Sequence, residues 1–147
     1  QRYCKENNFK YVTPPTILKN KEALDLYLDT MIKISEAYPK LVELGIPAED
    51  ARYLLPNACE TEICVKMNLR ELIHFCNERL CTCAQWEIRQ LANKMKKCVE
   101  EVAPDISAFL VPKCESHEIP YCNETKNRSC GRHKTVKELN DSLKVSQ

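Results

Sequence analysis

The chain has 147 residues, 44% of them hydrophobic, enough for one compact core and one domain. Its 22 basic and 21 acidic residues are spread along the sequence for a net charge of +1, which removes any general electrostatic drive toward nucleic acid or acidic membranes. No apolar run approaches the roughly 18 to 20 residues needed to span a bilayer, so the chain reads as soluble.

The first element is a short strand over residues 9–13, where Phe9, Tyr11 and Thr13 alternate with Lys10 and Val12 until Pro14-Pro15 stops the run. Leu24, Leu28, Met31, Ile32, Leu41 and Leu44 then repeat at helical spacing, with Asn20 able to cap the start and Gly45 to close the end. Pro39 is expected to kink or divide that helix, because it lacks a donor and its ring meets the preceding turn. Pro47 opens a short helical turn whose Glu49 and Asp50 favour the positive end, and Pro56 ends it. Over residues 60–67, Thr61, Ile63, Val65 and Met67 alternate with polar neighbours and predict a second strand with one buried face.

Asn68 with Glu71 forms an Asn-x-x-Glu start for a helix lined by Leu69, Leu72, Ile73, Cys76 and Leu80. Thr82 with Gln85 repeats the pattern for a helix carried by Ile88, Leu91, Met95 and Val102. Pro104 stops it, and residues 106–110 add one more turn. From Lys113 the chain is polar, cysteine-bearing and irregular. The expected architecture is α+β, mainly helical with a small antiparallel sheet, in a domain over residues 1–110 followed by a tail over 111–147.

Ten cysteines and two glycosylation-type triplets, Asn123-Glu-Thr125 and Asn127-Arg-Ser129, are what a secreted disulfide protein would carry. Against that, Cys64, Cys76 and Cys98 fall inside regular elements, where a thiol serves as a small apolar side chain. With only two glycines and long helices the chain is unlike a loop-rich disulfide scaffold, so a reducing cytoplasm is expected. Cys81, Cys114, Cys122 and Cys130 could supply four thiolates to zinc. However, the only close pair is Cys81-x-Cys83, and free thiols are the plainer reading. A non-catalytic cysteine-rich, zinc-stabilised binding domain is therefore the alternative to an enzyme.

Three basic residues share the Asn68 helix. Arg70 and Arg79 are about half a turn apart around its axis, His74 lies near Arg70, and Arg79 borders the apolar stripe beside Leu72. Asn68 marks a helix start, where free amides and the positive dipole end suit an anionic or electron-rich ligand. Equally, Arg70 can be a solvated surface residue and Arg79 can snorkel or pair with a glutamate. His117 and His133 stand in the polar tail without an evident partner.

The stretches ARYLLPNACET (51–61), MNLRELIHF (67–75) and RLCTCAQWEIR (79–89) occur in this order with the gaps of one known family. Together with the opening Gln1-Arg2-Tyr3 and Pro14-Pro15, they resemble the carboxy-terminal part of the flavin-dependent thymidylate synthases over about residues 1 to 110. That family shows Ala-Arg-x-x-Leu-Pro, an Asn-x-Arg segment and Ala-Gln-x-Glu-Ile-Arg. Two departures stand out: Glu78 precedes Arg79 where leucine is common, and only x-Arg-Tyr is present of a longer signature that begins Arg-His-Arg. With Gln1 rather than Met at its start, the sequence is expected to be a processed or truncated piece, inactive alone and lacking half of each pocket.

The resemblance implies methylation of dUMP to dTMP with methylenetetrahydrofolate, FAD and NADPH, in a cytoplasmic homotetramer with no nucleic acid or membrane partner. It implies that Arg79 is catalytic and contacts dUMP, as do Arg2 and Arg52, and that Asn68, Leu69, Arg70 and His74 contact FAD. An arginine suits the catalytic task, because a planar, permanently charged guanidinium stabilises charge developing on a pyrimidine. Gln85, Trp86 and Glu87, within the same motifs, are read as structural.

Overall fold

A computed structural model describes residues 9–144. The chain divides into two compact units, one up to Cys64 and one from Val65 onward.

In the first unit, α1 (Pro15–Leu18) is followed by the long α2 (Lys21–Glu43), α3 (Ala48–Ala51) and a 3-10 turn over Arg52–Leu54. The Asn20 side chain accepts the Ala23 amide at 3.1 Å and so caps α2. At the other end Gly45, at φ +85°, donates to the Val42 carbonyl, and Ile46 donates to Leu41. That pair of bonds ends a helix by turning through a left-handed residue, which glycine adopts without a Cβ penalty. Pro39 does not divide α2. It sits only four residues before the end, so the missing donor costs one late hydrogen bond and the helix carries on past it. Met31 and Tyr38 bury one face of α2, joined in the core of this unit by Phe9 and Ala51.

The expected antiparallel sheet does not form, and among the described residues no strand is present. The segment around Tyr11 meets the chain at Cys59 through one antiparallel bridge, closed by Val12 N–H to the Ala58 carbonyl (2.9 Å) and Glu60 N–H to the Lys10 carbonyl (2.8 Å). Prolines at 14, 15 and 56 limit the ladder, since they lack the donors that would extend it. Tyr27 instead anchors the segment, donating its hydroxyl to the Val12 carbonyl at 2.8 Å with the Tyr11 ring against its own. Residues 61–67 take up no regular element, with Ile63 82% and Val65 58% exposed, so their alternation does not describe a half-buried strand in this chain. The fold class of the described residues is helical rather than α+β.

The second unit is built on α4 (Leu69–Arg79), α5 (Trp86–Val102) and α6 (Pro104–Ser107), with α5 packed on both others. Asn68 caps α4 by accepting the Glu71 amide at 2.9 Å. The cap of α5 is Gln85 rather than Thr82: its Oε1 accepts from Glu87 (2.9 Å) and Ile88 (3.2 Å). Thr82 contributes its carbonyl to the Arg89 guanidinium at 2.9 Å. Pro104, expected to stop the helix, opens α6 in the position where a missing amide costs nothing. Cys76, Ala92 and Leu110 are the fully enclosed side chains here.

The tail belongs to the same unit and is more ordered than its composition suggests. A 3-10 turn over Lys113–Glu115 packs on α4, and a parallel bridge joins Cys122 to Thr135. A last helix, α7 (Val136–Lys144), begins with a reciprocal cap. Glu138 Oε2 accepts the Thr135 amide at 2.9 Å, and Thr135 Oγ1 accepts the Glu138 amide at 3.3 Å. No helix among the described residues is long and apolar enough to cross a membrane.

Candidate functional site

The start of α4 is the most reactive backbone in the second unit. Because the Asn68 side chain takes the Glu71 amide, the amides of Leu69 and Arg70 meet no acceptor among the described residues and remain at the positive end of an 11-residue helix. Asn68, Leu69 and Arg70 are all exposed, so an oxygen-rich ligand can reach the amides with a guanidinium beside them. This donor set fits the electron-rich ring edge or phosphates of a flavin nucleotide.

One turn on, His74 and Arg79 wall the same hollow of about 320 Å³, with Met67, Phe75, Glu71 and Glu78 completing it. Five residues apart, the two project roughly 140° from each other around the helix, so they reach the hollow as long side chains and not as stacked neighbours on one face. Arg79 is exposed, and among the described residues no carboxylate pairs with it. Of the two readings the sequence allowed, a glutamate partner is not found among the described residues, and the exposed guanidinium agrees with a snorkelling side chain. The partly desolvated setting expected for a catalytic Arg79 is not met in the single chain. Glu78 turns instead to Lys113, Oε1 to Nζ at 3.4 Å.

Arg52 lies in the first unit, half-buried on a separate open hollow with Leu55, Pro56, Asn57, Cys59 and Thr61. Arg2 lies outside the described residues. The side chains brought together are thus His74 with Arg79, beside the Asn68-Leu69-Arg70 start.

A second constellation sits at the other end of α4. Cys81, Cys83, Cys114, Cys122 and Cys130 line one cavity of about 210 Å³, and Arg79 and Glu78 contribute to its wall. Desolvation pushes the Cys114 thiol up, with Glu115 acting the same way and Arg132 opposing. The Cys130 thiol is held below its usual range, chiefly by a hydrogen bond from the Arg132 backbone and one from the Thr82 side chain. Cys76, in the core, has its thiol raised by burial. Sequence spacing singled out four of the five cavity cysteines. It passed over Cys83, and also Glu115 and His133, whose ligand atoms lie within 4.8 Å of each other and of the Cys114 sulfur. Only the return of the chain from Cys122 to Thr135 reveals that grouping.

What the described residues of the second unit bring together is thus a capped, cationic helix start and an adjoining His–Arg hollow. The family described as Thymidylate synthase complementing protein matches residues 1–105. The chain is 36% identical to the Flavin-dependent thymidylate synthase of Clostridium tetani, over 95% of this chain and 61% of that protein. With the protein of the same name from Geobacter sulfurreducens it shares 42% identity, over 95% of this chain and 59% of the relative. The one from Pyrococcus abyssi is 39% identical over 94% and 59%. The chain therefore belongs to the thymidylate synthase complementing protein family, and it spans about three fifths of the length of these relatives. These three matches run past residue 105 into the cysteine-bearing tail.

Proposed function

We propose that this chain acts within a flavin-dependent thymidylate synthase, which methylates dUMP to dTMP with methylenetetrahydrofolate as carbon donor, FAD as cofactor and NADPH as reductant. The observation that carries the reading is the pairing of Arg79 with His74 on one hollow, directly along the helix from the free Leu69 and Arg70 amides. The family membership and the names of the relatives support it.

Uracil is a poor electrophile, and a fixed guanidinium improves it by holding the negative charge that develops on the ring. Arg79 has that role in this proposal. Arg52 and Arg2 grip the dianionic phosphate, for which paired guanidinium hydrogen bonds are suited. The Leu69 and Arg70 amides, the Arg70 guanidinium, Asn68 and His74 hold the flavin, whose chemistry is to supply the hydride that takes the transferred carbon to the methyl level. Arg79 is exposed in the single chain, and a charge acts more strongly once water is excluded. Covering by further protein, in a homotetramer, supplies that exclusion. A cytoplasmic setting belongs to the same reading, supported by Cys76, whose thiol serves as an apolar side chain in the core.

Arg79→Ala in the flavin-loaded protein is expected to lower kcat by about 10²- to 10³-fold, the loss typical of removing one charge-stabilising donor, with flavin absorbance retained. Turnover of dUMP unchanged in that variant would overturn the assignment.

A further inference from the structure

Residues 111–135 enclose few large apolar side chains, and yet they hold a defined path across the second unit. Among the described residues of this stretch, only Pro112, Cys122 and Thr135 are buried. Burial on that scale does not order about two dozen residues, and segments of this kind are normally held by cross-links or a metal. The thiols are what the stretch brings to one place. Cys81 follows α4, Cys114 sits in the 3-10 turn, Cys122 in the bridge and Cys130 in the turn before α7, and all four line one cavity.

We propose that Cys81, Cys114, Cys122 and Cys130 bind a zinc ion as four thiolates, tying the tail to the end of α4. Two backbone turns hold the first and last of these sulfurs in place. The Cys83 amide donates to the Cys81 sulfur at 3.5 Å, and the Arg132 backbone hydrogen-bonds the Cys130 sulfur. In both, the donor lies two residues after the cysteine, so the chain curls its amide onto the sulfur. At the second turn Gly131 takes φ +77°, a conformation that L side chains rarely adopt. The Thr82 hydroxyl joins the two turns by hydrogen-bonding Cys130. Such outer contacts orient the ligands of a metal site.

Cys83 is the fifth thiol and is left out. Its sulfur donates to the Arg128 carbonyl at 3.3 Å, a bond that requires the proton to stay. Glu115, near Cys114, is already paired with Arg132 at 2.7 Å. Glu124 lines the cavity with its carboxylate within 4.8 Å of the Cys81 and Cys83 sulfurs, so Glu124→Gln belongs among the variants whose zinc content should not change. Binding displaces four protons, one from each thiol, and moves no electrons; the site with its ion carries two negative charges. Arg79 in the cavity wall and Arg132 beside Cys114 lie on the side of the balance that this charge needs. The proposal stands on the cysteines around this cavity and does not depend on the flavin reading.

The test is elemental analysis of the full chain, expressed with zinc and dialysed at neutral pH under reducing conditions. About one zinc per chain is expected, surrounded only by sulfur at about 2.3 Å in X-ray absorption. Cys122→Ser should lower the zinc content at least tenfold, whereas Cys83→Ser and Cys98→Ser should leave it unchanged. Where Cys122→Ser fails to fold, cobalt exchanged into the unaltered protein gives the same answer through the intense sulfur-to-metal bands of a tetrahedral thiolate site. Three results would overturn the proposal: zinc well below one per chain, two disulfides among these cysteines by mass, or a histidine nitrogen in the absorption spectrum.

Discussion

Asn68 does two things that can be separated. Its carboxamide oxygen holds the Glu71 amide, and this cap leaves the Leu69 and Arg70 amides free for a ligand. Asn68→Ala is expected to cost about 1 kcal/mol of stability in thermal or urea unfolding. Asn68→Ser restores most of that loss, because serine caps nearly as well. If the serine variant also restores flavin affinity, measured by fluorescence titration, Asn68 acts through the cap; affinity that stays low assigns the amide group itself to the flavin. At this scale the sequence was most informative, since caps depend on neighbours three or four residues away. Asn20, Gly45 and Asn68 were all readable for that reason. Thr82 was misread because two capping residues stood three apart and the longer Gln85 side chain folds back on its own helix.

Among the elements, α7 was missed although Thr135 and Glu138 carry the same spacing that revealed α4; the polar composition of the tail obscured it. Its reciprocal cap has a pH signature. The backbone amide of Thr135, then its hydroxyl, hold the Glu138 carboxyl below the usual carboxylate range. A carboxyl depressed on folding adds stability above its unfolded value of about 4.3, and that contribution disappears as pH falls through the lower folded value. Exchange protection of the Thr135 and Glu138 amides should therefore be steady from neutral pH to about 5 and decline below about 4. Glu138→Gln should flatten that dependence. The opposite error concerns residues 61–67, where alternation predicted a strand and the chain takes up no regular element. A ladder is a long-range property, and prolines at 14, 15 and 56 restrict it to one bridge.

For the molecule as a whole, side chains that a monomer would normally enclose lie open: Ile63 and Val65 in the irregular segment, Leu69 on α4, Leu91 and Val102 on α5. Scattered apolar residues are ordinary on a surface, but this many large ones left open are what an assembly would cover. Light scattering of the purified protein is expected to give a mass well above the 17.0 kDa of one chain. Ile63→Lys with Val65→Lys should reduce it, and an unchanged mass would remove this segment from the interface. The motifs carrying Arg52, Arg70 and Arg79 were readable in one dimension as a family pattern. What that pattern did not contain is the folding back of the tail, which places Cys114, Cys122 and Cys130 around Cys81.

That folding back gives Arg79 two neighbourhoods, since its side chain walls both the hollow shared with His74 and the cavity lined by thiols. Peroxide or a mercurial that attacks those sulfurs would be felt at the guanidinium without touching nucleotide or flavin. In the enzyme proposed above, turnover of dUMP would then fall on treatment with peroxide and recover when the thiols are reduced.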